Sequence, residues 1–392
     1  MRIFLSCLQS LRAHAVPAYQ YWETYFKRGI EEAGHEWVEA ESVDWAEALV
    51  FAPGSEGLEA WKGRTWPAVV AGVRRALNEG GADVFLAYLY PQMVDHGAIQ
   101  EIRAMGVPCV NYFCDNVREF VRVPKEFAGF DLHWVPELKA TRMYAAAGWP
   151  FVHAAMPTWV PPAQRTCDQA ETHGVSFVGS RDAQREVLFA QVLELGADIE
   201  LRGAGWAAGG SPAGGLPSTP EEQGGILRTA RNQIPFVRRH GITGLLRKAA
   251  WKRRQRVSDD VFARHVRARP NAREYIEITQ GSRITLGVNR YPSFRHPFDR
   301  PDTYSRGRDV EAPMMGACYL TEWTEELGIM YDLGREIETY RTAEEMVEKI
   351  RSLEGDPARR RSLRCAGQRR ALADHSVPAG LERVRAALGL AL

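Results

Sequence analysis

The chain has 392 residues, 45% hydrophobic and 25% charged, with 50 Lys and Arg against 49 Asp and Glu. That length exceeds what one hydrophobic core organises, so two domains are expected. A net charge of +1 gives no global attraction to nucleic acid or to a membrane, which leaves only local electrostatic targeting. The amino terminus lacks the pattern of a secretory signal, and no window holds the roughly 20 apolar residues that span a bilayer. The six cysteines, Cys7, Cys109, Cys114, Cys167, Cys318 and Cys365, form no C-x-x-C pair and have no His at zinc spacing. Buried thiols in a reducing cytosol are therefore expected, rather than disulfides or metal ligands.

In chain order, strand and helix patterns alternate from the start. RIFLSCL reads as a strand, the aromatic amphipathic stretch that ends near Gly34 as a helix, and HEWVEAE as a second strand. Residues 58–79 are helical in pattern, and GADVFLAYLY is a third strand after a Gly-Gly turn. HGAIQEIRAMG is a helix, GVPCVNYFCD and FDLHWVPE are strands, and ATRMYAAAGWP is a closing helix. Such alternation predicts a parallel sheet with crossover helices, and runs such as VFLAYLY suit strands buried on both faces.

A Pro-rich polar stretch over 161–174 reads as a linker, after which the pattern restarts. VSFVGS, REVLFAQVLELG and ADIELRG give strand, helix and strand. Residues 207–270 break the pattern as a Gly/Pro-rich and then basic insert; Gly224 to Val257 holds ten Lys and Arg and no acidic residue. SRITLGVNR, DVEAPMMGACYLTE, GREIETYR and a helix from Thr342 restore it, before an Arg/Ala-rich helical end. The predicted domains are 1–160 and 175–375, with 376–392 a helix that returns to the first domain.

The ordered pieces VSFVGSRDAQREVLFAQVLELGADIELRGAGW, SRITLGVNR and RGRDVEAPMMGACYLTEWTEELGIMYDLGREIETYRTAEEMVEKI resemble the GT-B glycosyltransferases. Within them the chain is similar to the spore-maturation CgeB-like group with its glycosyl transferases group 1 domain. The resemblance is clear over 175–206 and 274–385 and covers the first 160 residues only in pattern. It implies an α/β fold of two Rossmann-like domains facing across a cleft, with a nucleotide-sugar as donor.

The resemblance, with the physical reading of each residue, selects a donor site. Gly179 stands at a strand-to-helix turn, where a diphosphate could approach backbone N–H groups. Arg181 and Arg185 follow and match the basic pair of relatives that stabilises a departing nucleoside diphosphate. Glu311 opens a helix and matches the Glu that accepts the ribose hydroxyls in relatives, with helix capping as the alternative. Retaining relatives carry a further Glu eight residues earlier; here Thr303 stands there, beside Asp302, so the stereochemical outcome stays open. Asn289 and Arg290 end a strand at the presumed cleft, and Thr321 and Glu322 lie where relatives contact phosphate or sugar.

In the first domain, NYFCDNVREF puts Asp115 where a base would deprotonate the acceptor or a carboxylate would orient the sugar; a helix N-cap is the alternative. Asn116, His14 and His96 are further candidates for the acceptor or sugar. The function implied is transfer of a sugar from a nucleotide-sugar to an acceptor hydroxyl, with no metal and no cofactor. The alternatives are a catalytically silent nucleotide-sugar-binding partner of a glycosylation complex and a GT-B-shaped epimerase. The acceptor, whether glycan, lipid-linked, small molecule or protein, stays open. Nucleic acid is excluded as a partner by the lack of a recognised module. A cytoplasmic location is expected, with the basic residues within 226–256 offering a peripheral membrane contact.

Overall fold

A computed structural model describes residues 1–7, 19–207, 242–251, 254, 256–291 and 295–390. The chain forms two compact units, Met1–Trp159 with Ala373–Leu392, and Val160–Leu372.

Unit 1 holds six parallel strands, β1 (Arg2–Ser6), β2 (Glu36–Val38), β3 (Val84–Tyr88), β4 (Cys109–Tyr112), β5 (Leu132–Val135) and β6 (Phe151–His153). Their order is β2-β1-β3-β4-β5-β6, with parallel pairing throughout. β3, β4 and β5 are buried along their whole length, which accounts for their unbroken apolar runs. The order reverses between β1 and β3, the switch point at which sheets of this kind bind ligands. The C-terminal helix Val377–Leu388 belongs to this unit: a Cβ added at Gly380 would meet the Trp134 ring at 2.3 Å.

Unit 2 holds β7 (His173–Val178), β8 (Ile199–Arg202), β9 (Val266–Arg267), β10 (Ser282–Gly287), β11 (Tyr319–Glu322) and β12 (Glu338–Tyr340). The order is β12-β11-β10-β7-β8-β9, again all parallel. Counted from β7 outward this is the doubly wound arrangement of a dinucleotide-binding sheet, with its switch point between β7 and β10. The core gathers Phe177, Phe189, Trp206, Phe262, Leu286 and Tyr340 around these strands.

Three sequence readings are corrected here. The stretch 161–174 is part of unit 2 and runs directly into β7. The insert 207–270 is not all outside the fold, because it supplies β9 on the sheet edge; its residues 208–241 lie outside the described residues. The cysteines are not all free thiols. Cys167 and Cys365 form a disulfide with Cα atoms 5.1 Å apart, while Cys7, Cys109, Cys114 and Cys318 are buried and free. A 198-residue separation carries no signal in the sequence; the pairing arises because the helix Pro357–Asp374 packs on the segment that opens unit 2.

Candidate functional site

The carboxyl edge of the unit 2 sheet is the place to build a site. Val178 ends β7, Gly287 ends β10 and Glu322 ends β11, three adjacent strands at the switch point. Close packing, rather than ligand approach, explains Gly179. Its N–H donates to Arg202 O at 2.8 Å and its carbonyl accepts from the Trp206 indole at 2.7 Å. A Cβ on it would meet the Phe177 ring at 2.6 Å, and one on Gly203 would meet the Gly179 carbonyl at 2.3 Å. The helix Ala183–Glu194 that follows has its amino end capped by Asp182, which accepts from Gln184 N and Arg185 N at 2.9 Å. The N–H groups of Gly179, Arg181, Gln184 and Arg185 are thus already bonded within the protein.

Arg181 is also committed elsewhere. It is fully buried and donates to Glu186 at 3.0 Å, to Asp259 at 2.5 Å and to Val257 O at 2.7 Å. It ties the amino-terminal turn of one helix to a segment 76 to 78 residues further along. Glu186 and Asp259 thus pair with the arginine expected at the diphosphate, and its burial was invisible in the sequence.

Arg185 differs. Its Nη1 donates to Ser180 O at 2.9 Å, its Nε stands 3.4 Å from Asp182, and that Nε has no hydrogen-bond partner among the described residues. Burial pulls its pKa down to about 10; Asp182 opposes that pull, and Arg306 and Arg308 add to it. Three guanidinium groups therefore share one region. Arg306 leaves its buried Nε, and Arg308 its buried Nη1, without a hydrogen-bond partner among the described residues. Arg306 lies 5.0 Å over the Tyr304 ring, and Arg308 5.0 Å over that of Tyr275. Burial depresses Arg308, but Tyr275, Tyr319, Glu311 and Asp309 together hold its pKa above the ordinary arginine value.

Arg306 and Arg308 are residues the sequence reading passed over. The signal was present: the triplet Arg306-Gly307-Arg308 leads into the helix Arg308–Met314 that carries Glu311. Glu311, half-buried, accepts the Tyr275 hydroxyl at 2.5 Å, so the same tyrosine carries Arg308 on its face and Glu311 at its edge. Asp309 is fully buried and raised in pKa by desolvation; it accepts from Tyr319 at 2.8 Å and Thr321 at 2.9 Å.

The remaining predicted donor residues hold one another. Glu322 accepts from Asn289 N, Arg290 N and Arg290 Nε at 3.1, 2.8 and 2.7 Å. The Asn289 amide donates to Thr321 Oγ1 and to Glu322 O. Asn289, Thr321 and Glu322 are buried. Together they form a clasp between the ends of β10 and β11, in which each buried polar group finds a partner. Arg290 is the cationic half of that clasp and Glu322 the anionic one, with Nη2 2.6 Å from Oε1.

In unit 1, Asp115 follows β4 and has left-handed backbone (φ 62°), uncommon for a residue with a side chain. It heads the short helix Asn116–Glu119 without a side-chain capping bond. Asn116, expected as an acceptor or sugar contact, forms a buried brace. Its N–H and Nδ2 donate to the two oxygens of Glu137 at 2.6 and 2.8 Å, its Nδ2 also reaches Phe113 O, and its Oδ1 accepts from Tyr144. Glu137 is fully buried, and desolvation pushes its pKa up to about 8. His96 is exposed at the start of the helix His96–Ala104. His14 lies outside the described residues.

One cluster has metal-ligand atoms within reach of one another, Cys167, Asp168 and Cys365, but both its sulfurs are spent in the disulfide. Among the described residues no helix is long and apolar enough to cross a membrane.

Two parallel six-stranded sheets, each wrapped by crossover helices, make this an α/β protein of GT-B architecture, the class of many nucleotide-sugar-dependent glycosyltransferases. Residues 225–385 match the model of the glycosyl transferase-like family. No curated protein matches the sequence. Among solved structures it is similar to a sucrose-phosphate synthase from Thermosynechococcus elongatus, at 12% identity and TM-score 0.55 over 99% of this chain and 98% of that one. It is similar to a glycosyltransferase from Rickettsia africae, at 8% identity and TM-score 0.53 over 99% and 98%. It is similar also to HepE of Anabaena in complex with UDP, at 11% identity and TM-score 0.52 over 99% of each chain. At these identities the likeness is one of fold.

Proposed function

We propose that this chain transfers a sugar from a nucleoside diphosphate sugar to an acceptor hydroxyl, with unit 2 holding the donor. The observation that carries the reading is the convergence of Arg185, Arg306 and Arg308 at the carboxyl edge of the unit 2 sheet. Like charges gathered in a buried place repel, and an unbonded buried guanidinium nitrogen costs free energy. An anionic ligand offsets both, and a diphosphate offers enough oxygens to engage three forks. The family match over 225–385 supports a glycosyl donor. The UDP complex of HepE, a protein of the same fold, supports a nucleotide one.

In this reading the three arginines stabilise the negative charge that grows on the leaving diphosphate, which is what a divalent cation does in other transferases. The reaction then proceeds without an added metal. Glu311, oriented by the Tyr275 hydroxyl, accepts the ribose hydroxyls. Asp115, held in its left-handed turn by the Asn116–Glu137 brace, takes the acceptor proton or orients the sugar.

The test is a thermal-shift screen of wild type and Glu311→Ala against UDP, GDP, TDP and CDP, followed by turnover of the matching nucleotide-sugars with EDTA present. A shift with one base, lost in the variant, together with release of the nucleoside diphosphate supports the reading. Saturable binding with no consumption of donor points to a silent binding partner. Conversion of the sugar without transfer makes the chain an epimerase, and turnover abolished by EDTA overturns metal independence.

A further inference from the structure

The helix Arg308–Met314 carries Arg308 and Glu311 in its first turn and is held at its other end by side chains from elsewhere in unit 2. The last carbonyls of a helix have no partner within it. Here Met314 O accepts from Gln368 at 2.9 Å, Met315 O from Gln280 at 3.1 Å and Gly316 O from Arg364 at 3.5 Å. All three donors are buried. Gly316 is left-handed (φ 76°), and a Cβ on it would meet Thr166 O at 2.2 Å. The Gln280 amide also donates to Gln164 O. Two pieces of chain therefore close over this helix end: residues 164–167, and the helix Pro357–Asp374 that supplies Arg364 and Gln368. The disulfide joins those two pieces. Cys167 follows Thr166 directly, and Cys365 follows Arg364 and stands one helical turn before Gln368.

We infer that the Cys167–Cys365 disulfide is a thiol-operated switch on the donor site: its reduction frees residues 164–167 from the end of the helix Arg308–Met314, and the arginine and carboxylate at the other end lose their fixed position. The functional half of this inference rests on the donor-site reading. Cys7, Cys109, Cys114 and Cys318 are buried thiols, whereas Cys167 and Cys365 are half-buried, so the bridge is where a thiol in solution reaches the sulfur of this chain. Exposed disulfides are the labile and regulatory ones. A dithiol attacks one sulfur as its thiolate and forms a mixed disulfide. It then closes to its own disulfide as the second protein thiol leaves, so two electrons and two protons pass to Cys167 and Cys365. The ion pair beside the bridge, Arg361 with Asp168 at 2.7 Å, has side chains 73% and 62% exposed, and such pairs hold little. Arg360 still clamps Glu171, four residues past Cys167, so reduction releases a short segment and not the unit. The helix has seven residues, about two turns, and a rod of that length carries a displacement at one end to the other.

The experiment is hydrogen exchange on the full chain, oxidised and after treatment with dithiothreitol, with the Kd for UDP measured on each form, and for GDP, TDP and CDP where UDP does not bind. Cys167→Ser/Cys365→Ser is measured in parallel, with and without dithiothreitol. Reduction should speed exchange across 308–318 at least about tenfold and leave the helix Ala183–Glu194 of the same unit unchanged. It should weaken the nucleotide at least about fivefold, because only part of the population then keeps the competent arrangement. Reoxidation should restore both, and the double variant should match the reduced chain whether or not dithiothreitol is present. Unchanged exchange over 308–318 overturns the inference. Faster exchange spread evenly over both helices overturns it too, since that is a loss of general stability. So does faster exchange with an unchanged Kd, because the link then stops short of the site. Failure of all four nucleotides to bind either form refutes the donor site and with it the switch, while the exchange result, which needs no ligand, still decides whether the bridge holds the helix.

Discussion

Arg185→Met gives the donor-site reading a prediction in which two measurements move in opposite directions. In the protein Arg185 is charged at a cost: its pKa is pulled down to about 10, well below the ordinary arginine value, by burial and by Arg306 and Arg308 despite Asp182. A depression of that size corresponds to on the order of 3 kcal/mol of lost stability in the charged form. Against this stand the Nη1 bonds to Ser180 O and Oγ at 2.9 and 3.2 Å, each about 1–3 kcal/mol when the donor is charged. The two nearly cancel, so the ligand-free melting temperature should stay within a few degrees of wild type. Binding of the nucleoside diphosphate behaves differently. Loss of one charge-assisted bond, about 1.5–3 kcal/mol, weakens the complex by roughly 10- to 150-fold. At a ligand concentration of about 100 wild-type Kd, wild type gains about 2.7 kcal/mol, or roughly 5–10 °C for a unit of this size. A variant some 30-fold weaker gains under about 1 kcal/mol, or roughly 2–3 °C. The assay is a melting curve with and without the diphosphate that stabilises wild type. A large drop in the ligand-free melting temperature with an undiminished ligand shift would refute the reasoning and make Arg185 a structural partner of Asp182.

Arg181→Met should do the reverse. It leaves Glu186 buried without its main partner and should cost about 3–5 kcal/mol of unit 2 stability, while the Kd for the diphosphate, measured below the melting range, changes less than about threefold. Glu137, pushed up by burial to about 8 from the usual 4.5 of a glutamate, contributes stability that is full below about pH 4.5 and is lost as pH rises through 8. Denaturant titrations of Glu137→Gln across that window should show the decline flattened. His133 works on the other side. Desolvation depresses it to about 4 from 6.5, so its contribution is present above pH 6.5 and is lost as pH falls toward 4; His133→Phe should remove that acid limb.

The sheets were legible because their strands are buried on both faces and read as continuous apolar runs, as in VFLAY of β3 and the buried end of β7. β9 was not, since two residues on an edge carry no period. In the site, residue type was readable but commitment was not. Arg181 and Arg185 stand four apart and look equivalent in the sequence, yet the side chain that neutralises Arg181 from Asp259 arrives from 78 residues away. Glu322 looked like a ligand contact for the same reason, because Arg290 lies 32 residues before it and joins it only through the pairing of β10 with β11. Arg306 and Arg308 were visible but overshadowed by the carboxylate three residues further on. A cluster of like charges with unbonded nitrogens is a property of the fold, and no window of sequence contains it.

The disulfide between Cys167 and Cys365 has a topological consequence. The polypeptide leaves unit 1 after Trp159 and rejoins it at Ala373, so the second unit is an insertion, and the cross-link sits at its neck. Nearby, Arg360 clamps both oxygens of Glu171 at 2.8 and 2.6 Å. The inserted unit is therefore a covalent ring. A single protease nick anywhere between the two cysteines opens the ring but releases nothing. The nicked molecule should migrate as one species on a denaturing gel without reductant and as two fragments with it. A segment cut at Trp159 and Leu372 would leave as a closed circle with short tails, a ready cassette for grafting onto another first unit.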